Sequence, residues 1–184
     1  MHLTMVDSDV GCESNVNRQC RATTETLGEV KVEAMRKRLL SISPEAEITD
    51  IHKMYSEETA ADFHLEDYDV VIDAIDSLTA KAQLILHATS LKSVLFLSSM
   101  GAAWKIDPTK VAVAEFWKVK GCPLARALRT RFKKQKTFPR RKFLCVYSEE
   151  KPLRYGSLMY VTAVFGLTIA GMIVKEIAQP SQSS

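Results

Sequence analysis

Asp69-Val70-Val71-Ile72-Asp73, a helical stretch from about Ser77 to Ser90, and Val94-Leu95-Phe96-Leu97 decide the fold of this chain. Each strand candidate is a short apolar run rich in branched residues. Such runs suit strands that are buried on both faces, as in a parallel sheet. A helix between two such strands is the crossover that parallel pairing requires. Working outward, His2-Leu3-Thr4-Met5-Val6 reads as a strand that ends on Asp7. Lys31 to Leu40 begins an amphipathic helix with Val32, Met35, Leu39 and Leu40 on its apolar side, and Pro44 stops it. Glu47-Ile48-Thr49-Asp50-Ile51 is a second strand, and residues 56–65 are expected to form a helix with Ser56 as its N-cap. Alternating strands and helices imply an α/β fold with a mostly parallel, Rossmann-like sheet flanked by helices.

The second half changes character. Val111–Phe116 and Phe143–Tyr147 read as strands around a basic helix near 123–134, a C-terminal mixed or antiparallel extension. Gly156 to Val174 then runs for 19 residues without a charge. Its length permits a membrane span, but its glycines, threonines and Tyr160 favour a helix packed on a sheet. The expectation is one domain over 1–178 with a disordered tail at 179–184, and a cytoplasmic protein with possible membrane association through 156–174.

The chain of 184 residues is 46% apolar and 26% charged, ordinary for a globular protein, and its 7 Gly and 6 Pro exclude a low-complexity chain. Cys12, Cys20, Cys122 and Cys145 form no Cys-x-x-Cys pair, so no zinc site is expected. Net charge is +3, unevenly spread: residues 1–115 hold 11 basic and 19 acidic side chains, and residues 116–148 hold 11 basic and none acidic. A one-sign block of this kind points to an anionic partner.

Chemistry concentrates near the N-terminus, in Asp7-Ser8-Asp9, Ser14-Asn15-Val16-Asn17-Arg18-Gln19 and Gly28-Glu29-Val30-Lys31. A carboxylate at the end of a strand in an α/β sheet stands where ribose hydroxyls bind. Arg18 and Lys31 flank one loop and can converge on a polyphosphate, the first as a planar fork and the second as a compact charge. Asp73-Ala74-Ile75-Asp76 places carboxylates at a strand end, where a hard cation such as magnesium can bridge to phosphate.

The order Asp-x-Asp, Ser-Asn-x-x-Arg-Gln, Gly-x-x-Lys and Asp-x-x-Asp resembles the ubiquitin-activating-enzyme-like adenylylating superfamily. Within it the chain looks most like the tRNA threonylcarbamoyladenosine dehydratases. Gly101-Ala102, Ile106-Asp107-Pro108-Thr109, Cys122-Pro123-Leu124-Ala125 and Cys145-Val146-Tyr147-Ser148-Glu149-Glu150 add to the likeness, as does the closing Val164-Phe165-Gly166-Leu167.

The resemblance implies an ATP-dependent enzyme in which Asp7 holds the ribose and Asn15, Arg18 and Lys31 the phosphates, with Asp76 on the magnesium side. It implies catalytic roles for Arg18, Lys31 and Asp76. The family chemistry is attack of a carboxylate on the α-phosphorus of ATP, releasing pyrophosphate and leaving an acyl adenylate. In the dehydratase branch the carboxylate belongs to a threonylcarbamoyl group on a tRNA adenosine, which then cyclises with net loss of water. A homodimer is implied as well. Arg126, Arg129, Lys133, Arg140 and Arg141, with Trp117 and Phe138 beside them, are the expected tRNA-docking groups. Two other readings stay open: adenylylation of a ubiquitin-like sulfur-carrier protein, with Cys145 as an acyl-relay thiol, and a non-catalytic dimerisation or tRNA-binding scaffold. The superfamily opens with a strand, a glycine-rich loop and a helix ahead of the strand that ends here at Asp7. Residues 1–6 hold no such unit, so the first βα unit is expected to be lacking, about 30 to 40 residues.

Overall fold

A computed structural model describes residues 2–151 and 156–178. The expected tail at 179–184 lies outside the described residues. The chain divides into two compact units, Met1–Thr59 and Ala60–Ser184.

In the first unit, β1 (His2–Val6) and β2 (Glu47–Ile51) pair in parallel, in register from His2 opposite Glu47 to Val6 opposite Ile51. Helix α1 (Lys31–Ile42) is the crossover between them and packs on β2. It buries Val32 and Ala34, while Met35, Leu39 and Leu40 are half-buried on the same side. The loop before α1 is closed at its base by an isolated bridge between Val10 and Val30. Gly11 sits in that closure, where an added Cβ would lie 2.6 Å from the Thr26 carbonyl oxygen, so only glycine fits.

The helix expected over 56–65 does not form. Two short 3-10 turns, Ala60–Phe63 and Leu65–Asp67, lie in and just beyond that span. The Thr59 hydroxyl accepts the Ser56 N–H and donates to the Met54 carbonyl, and the Ser56 hydroxyl donates to Glu58. Short polar side chains thus take the backbone groups that a first helical turn would use.

The second unit is a four-stranded mixed sheet of order β3-β4-β6-β5, built from β3 (Val70–Asp73), β4 (Leu95–Ser99), β5 (Val111–Glu115) and β6 (Leu144–Ser148). The pairs β3–β4 and β4–β6 are parallel, and β5 runs antiparallel to β6. Side-chain alternation sorts the core into two layers. Leu97 and Val146 face α4 (Met159–Ala178) and meet its Val161, Phe165 and Ile169. On the other side Phe96 meets Phe143, which stacks on Phe116, and Phe116 meets Phe132 of α3 (Pro123–Gln135) edge to face. Helix α2 (Leu78–Ser90) packs beside α3 on that side, against β3.

Helix α4 departs from the expected core helix. It is long and apolar enough to cross a membrane by length and composition, yet buries one stripe only. Leu167, Val174 and Ile177 on its far side are each about two-thirds exposed.

A buried ion pair lies between α2 and the sheet. Lys81 of α2 and Asp73 of β3 are completely buried, with Nζ 2.8 Å from Oδ2. The Ser98 hydroxyl of β4 donates to the same oxygen at 2.6 Å, and Lys81 also donates to the Ile75 carbonyl at 2.8 Å. A buried charge left without its partner costs roughly 3–5 kcal/mol, whereas removing both partners costs far less. Lys81→Met is therefore expected to destabilise the protein by about that amount in urea titration. Adding Asp73→Asn should recover a substantial part of the loss; a double variant no more stable than the single one would show that the pair is not coupled.

Candidate functional site

The expected site residues fall on both units. Asp7, Asn15, Arg18 and Lys31 belong to the first and Asp76 to the second.

Asp7 follows the last residue of β1, where its N–H donates to the Ile51 carbonyl of β2, and its carboxylate accepts the Asp9 N–H at 2.9 Å. Lys31 opens α1, and its N–H donates to the Asp9 carbonyl. Its side chain is nearly buried and runs back to the strand end, with Nζ 2.5 Å from Asp9 Oδ2 and 4.0 Å from Asp7 Oδ2. Strand end and helix start therefore hold an ammonium against two partly exposed carboxylates. Asp9, outside the expected ligand set, is the closer partner.

Asn15 and Arg18 sit in and just after the 3-10 turn Glu13–Asn15. The Asn15 side chain is buried and its Oδ1 accepts the Cys12 N–H, so it holds the turn together. Arg18 is half-buried and folds back over the turn, donating to the Ser14 carbonyl and to Asn17 Oδ1. Sequence reasoning missed Arg21, a buried guanidinium whose Nη1 has no hydrogen-bond partner. Burial lowers its pKa, while Asp7 and then Asp9 act to raise it. Its position three residues past Arg18 was the one available signal.

In the second unit Asp76 is exposed on the loop between β3 and α2. That loop is held from within by the Lys81 bond to the Ile75 carbonyl and by the Ile75 N–H, which donates to Asp73 Oδ1 at 3.0 Å. The next loop along the sheet, after β4, has a similar internal anchor. Lys105 is completely buried and donates to the Ser148 and Glu150 carbonyls at 2.9 and 2.5 Å. Burial lowers its pKa, opposed by the neighbouring Cys122 and Glu150. The Glu150 carboxylate accepts the Ile106 and Asp107 N–H groups at 3.0 and 2.9 Å.

The basic block divides in two. Arg129 donates to the Phe116 and Val119 carbonyls, and Arg141 to the Ala88 and Val94 carbonyls; both are half-buried. These two, expected at a tRNA surface, are committed to their own backbone because the turns they cap lie under α3 and after α2. Arg126, Lys133, Arg140 and Lys142 are exposed. Arg126, Thr130, Arg131 and Lys134 line an open groove of about 680 Å³ that also touches Leu78 of α2. Trp117 and Phe138 lie 6.2 Å apart at their ring centres, both about half exposed.

A model of the ThiF family matches residues 1–184. The chain belongs to the ThiF family. This ThiF-family chain is 34% identical over 151 residues to the tRNA threonylcarbamoyladenosine dehydratase of Bacillus subtilis, covering 82% of this chain and 58% of that protein. Against the enzyme of that name from Haemophilus influenzae it is 36% identical over 144 residues, 77% of this chain and 55% of the other. It thus spans about half the length of the curated relatives it matches. The Escherichia coli dehydratase solved with AMP superposes with a TM-score of 0.87 at 31% identity, over 95% of this chain and 75% of that one. The same enzyme solved with ATP gives 0.83 at 31% identity, over 96% and 77%.

The sulfur-carrier reading calls for an accessible relay thiol, and its candidate is Cys145. It lies on β6, completely buried, and burial pushes its thiol pKa upward, more than the nearby Lys81 lowers it. A nucleophilic thiolate needs a lowered pKa and access. Cys12 and Cys20 are exposed, whereas Cys122 and Cys145 are buried. In a disulfide-exchange assay without denaturant the two exposed thiols are expected to react within minutes. The other two should appear only in guanidinium; fast release of a third equivalent from the native protein contradicts the placement of Cys145.

Proposed function

We propose that this chain activates a carboxylate by adenylylation with ATP, and that the carboxylate is that of a threonylcarbamoyl group on a tRNA adenosine. The observation that carries the reading is the cluster of Asp7, Asp9 and Lys31 where β1 ends and α1 begins. It stands in a chain about one-third identical to enzymes of that name. The 1–178 span is proposed as the adenylylating domain, in a cytoplasmic homodimer.

In this reading Asp7 accepts the ribose hydroxyls, as a strand-end carboxylate does in nucleotide-binding α/β folds. Lys31 exchanges Asp9 for a phosphoryl oxygen, and Arg18 turns from its own Ser14 carbonyl toward the phosphates, with Asn15 keeping the turn that presents it. When the substrate carboxylate attacks the α-phosphorus, charge moves onto the pyrophosphate that leaves. Fixed cations aimed at that charge lower the barrier more than any other single contribution of the protein. Among the described residues no three metal-ligating side chains gather. A magnesium ion carried by the phosphates needs only one or two protein carboxylates, and Asp76 is the one proposed. Such an ion neutralises phosphate charge; Asp76 contributes an exposed carboxylate on a loop that Lys81 keeps rigid. The exposed cations Arg126, Lys133 and Arg140 are proposed to hold the tRNA backbone, with Trp117 and Phe138 among them.

Two measurements test this. Arg18→Ala is expected to lower ATP–pyrophosphate exchange by 30-fold or more, since one such contact is worth about 2–4 kcal/mol in the transition state; exchange within threefold of the parent removes Arg18 from the site. Arg126, Lys133 and Arg140 all changed to Glu, with Arg129 and Arg141 kept, should weaken tRNA in filter binding. The plot of log affinity against log salt should then be shallower by up to about 3, because each lost phosphate contact releases about one counterion fewer. Equal affinity and equal slope would show that α3 and its flanks do not face the RNA.

A further inference from the structure

Trp104 combines two costs in one residue. Its backbone lies in the left-handed region, at φ 62°, and its side chain is 54% exposed. A bulky side chain at positive φ is strained by its own Cβ, and glycine would relieve that strain. An exposed indole gains little from burial. Strain of this sort persists where the surrounding structure over-determines it, and it collects at binding sites.

The surroundings do over-determine it. Lys105, the next residue, is anchored under the sheet edge by the Ser148 and Glu150 carbonyls. Glu150 takes the next two N–H groups, and the Tyr160 hydroxyl donates to the Ile106 carbonyl at 2.9 Å. On the other side Gly101 lies against Leu124, in the first turn of the basic helix α3. The loop is therefore held at both ends with the indole displayed between them.

Its place in the sheet supplies the occupant. Strands β3 and β4 are parallel neighbours, with Asp73 opposite Ser98. The loops that follow them, bearing Asp76 and Trp104, leave the same carboxyl edge, where open α/β sheets bind their ligands. Through Gly101 and Leu124 the same loop meets α3, which lies within a block of 11 cations and no acid. A flat aromatic surface beside such a block is the combination that binds unpaired bases, the cations holding phosphates and the ring stacking on the base.

We propose that Trp104 is a stacking platform for an unpaired nucleobase of the RNA substrate, held at the sheet edge that also carries Asp76. The inference rests on the tRNA reading above. Filter binding of tRNA by the parent, Trp104→Gly and Trp104→Phe, with thermal melting of each, tests it. Trp104→Gly should bind tRNA at least about fivefold more weakly, the loss of one stacked base. Its melting temperature should not fall, since glycine fits the backbone. Its salt dependence should match the parent's because no phosphate contact is lost. Trp104→Phe should stay within about twofold of the parent. If the parent binds tRNA with steep salt dependence and Trp104→Gly binds equally well, the platform is refuted and the tRNA reading survives. If the parent does not bind tRNA, both fall.

Discussion

Inside the second unit, Lys81 carries a positive charge into a space with no solvent, between α2 and the sheet. Asp73 meets it at 2.8 Å, Ser98 joins the same carboxylate, and the spare ammonium donor reaches the Ile75 carbonyl. Desolvating two such ions is costly, and they repay it only when every remaining hydrogen-bonding position is filled. The set therefore fixes several things together: the register of β3 on β4, the seat of α2, and the path of the loop that ends at Asp76. A sheet of purely apolar contacts tolerates small slips of its loops. One held by a satisfied ion pair does not.

Other buried or half-buried cations brace the second unit as well. Lys105 ties the loop after β4 to the chain leaving β6, Arg129 caps the turn after β5, and Arg141 joins the end of α2 to the approach of β4. Each cation donates to backbone carbonyls at the ends of helices and strands or in the turns between them. Part of the positive charge that looks like a partner-binding surface in the sequence is thus internal bracing. The exposed remainder includes Arg126, Lys133, Arg140 and Lys142.

Much of the architecture was legible beforehand for a definite reason. Unbroken apolar runs made Val70–Ile72 and Leu95–Leu97 legible as strands, although only β4 is buried on both faces and Ile72 of β3 is exposed, and α1, α2 and α3 carried helical periodicity with recognisable ends. The helix expected over 56–65 failed because Ser56 and Thr59 bond locally, and the hydrogen-bond choice of a hydroxyl is not written in periodicity. Helix α4 was legible as a helix but not as a half-covered one, since apolar residues on its outer side leave the same pattern as a buried helix.

Residue order supplied Asp7, Asn15, Arg18, Lys31 and Asp76 as candidates for the site, together with the resemblance to the family to which the chain belongs. Those motifs lie within short stretches, and local spacing on strand ends and helix starts is something a sequence states directly. The pairings of the charges come from residues far apart in the chain: Lys31 with Asp9, Lys81 with Asp73, Lys105 with the chain beyond β6. The inward turn of Arg129 and Arg141, the burial of Cys145, and the display of Trp104 on a braced loop have the same origin. A charge is a partner-binding group or a brace according to which carbonyl or carboxylate lies within 3 Å of it, and only the folded chain decides that distance.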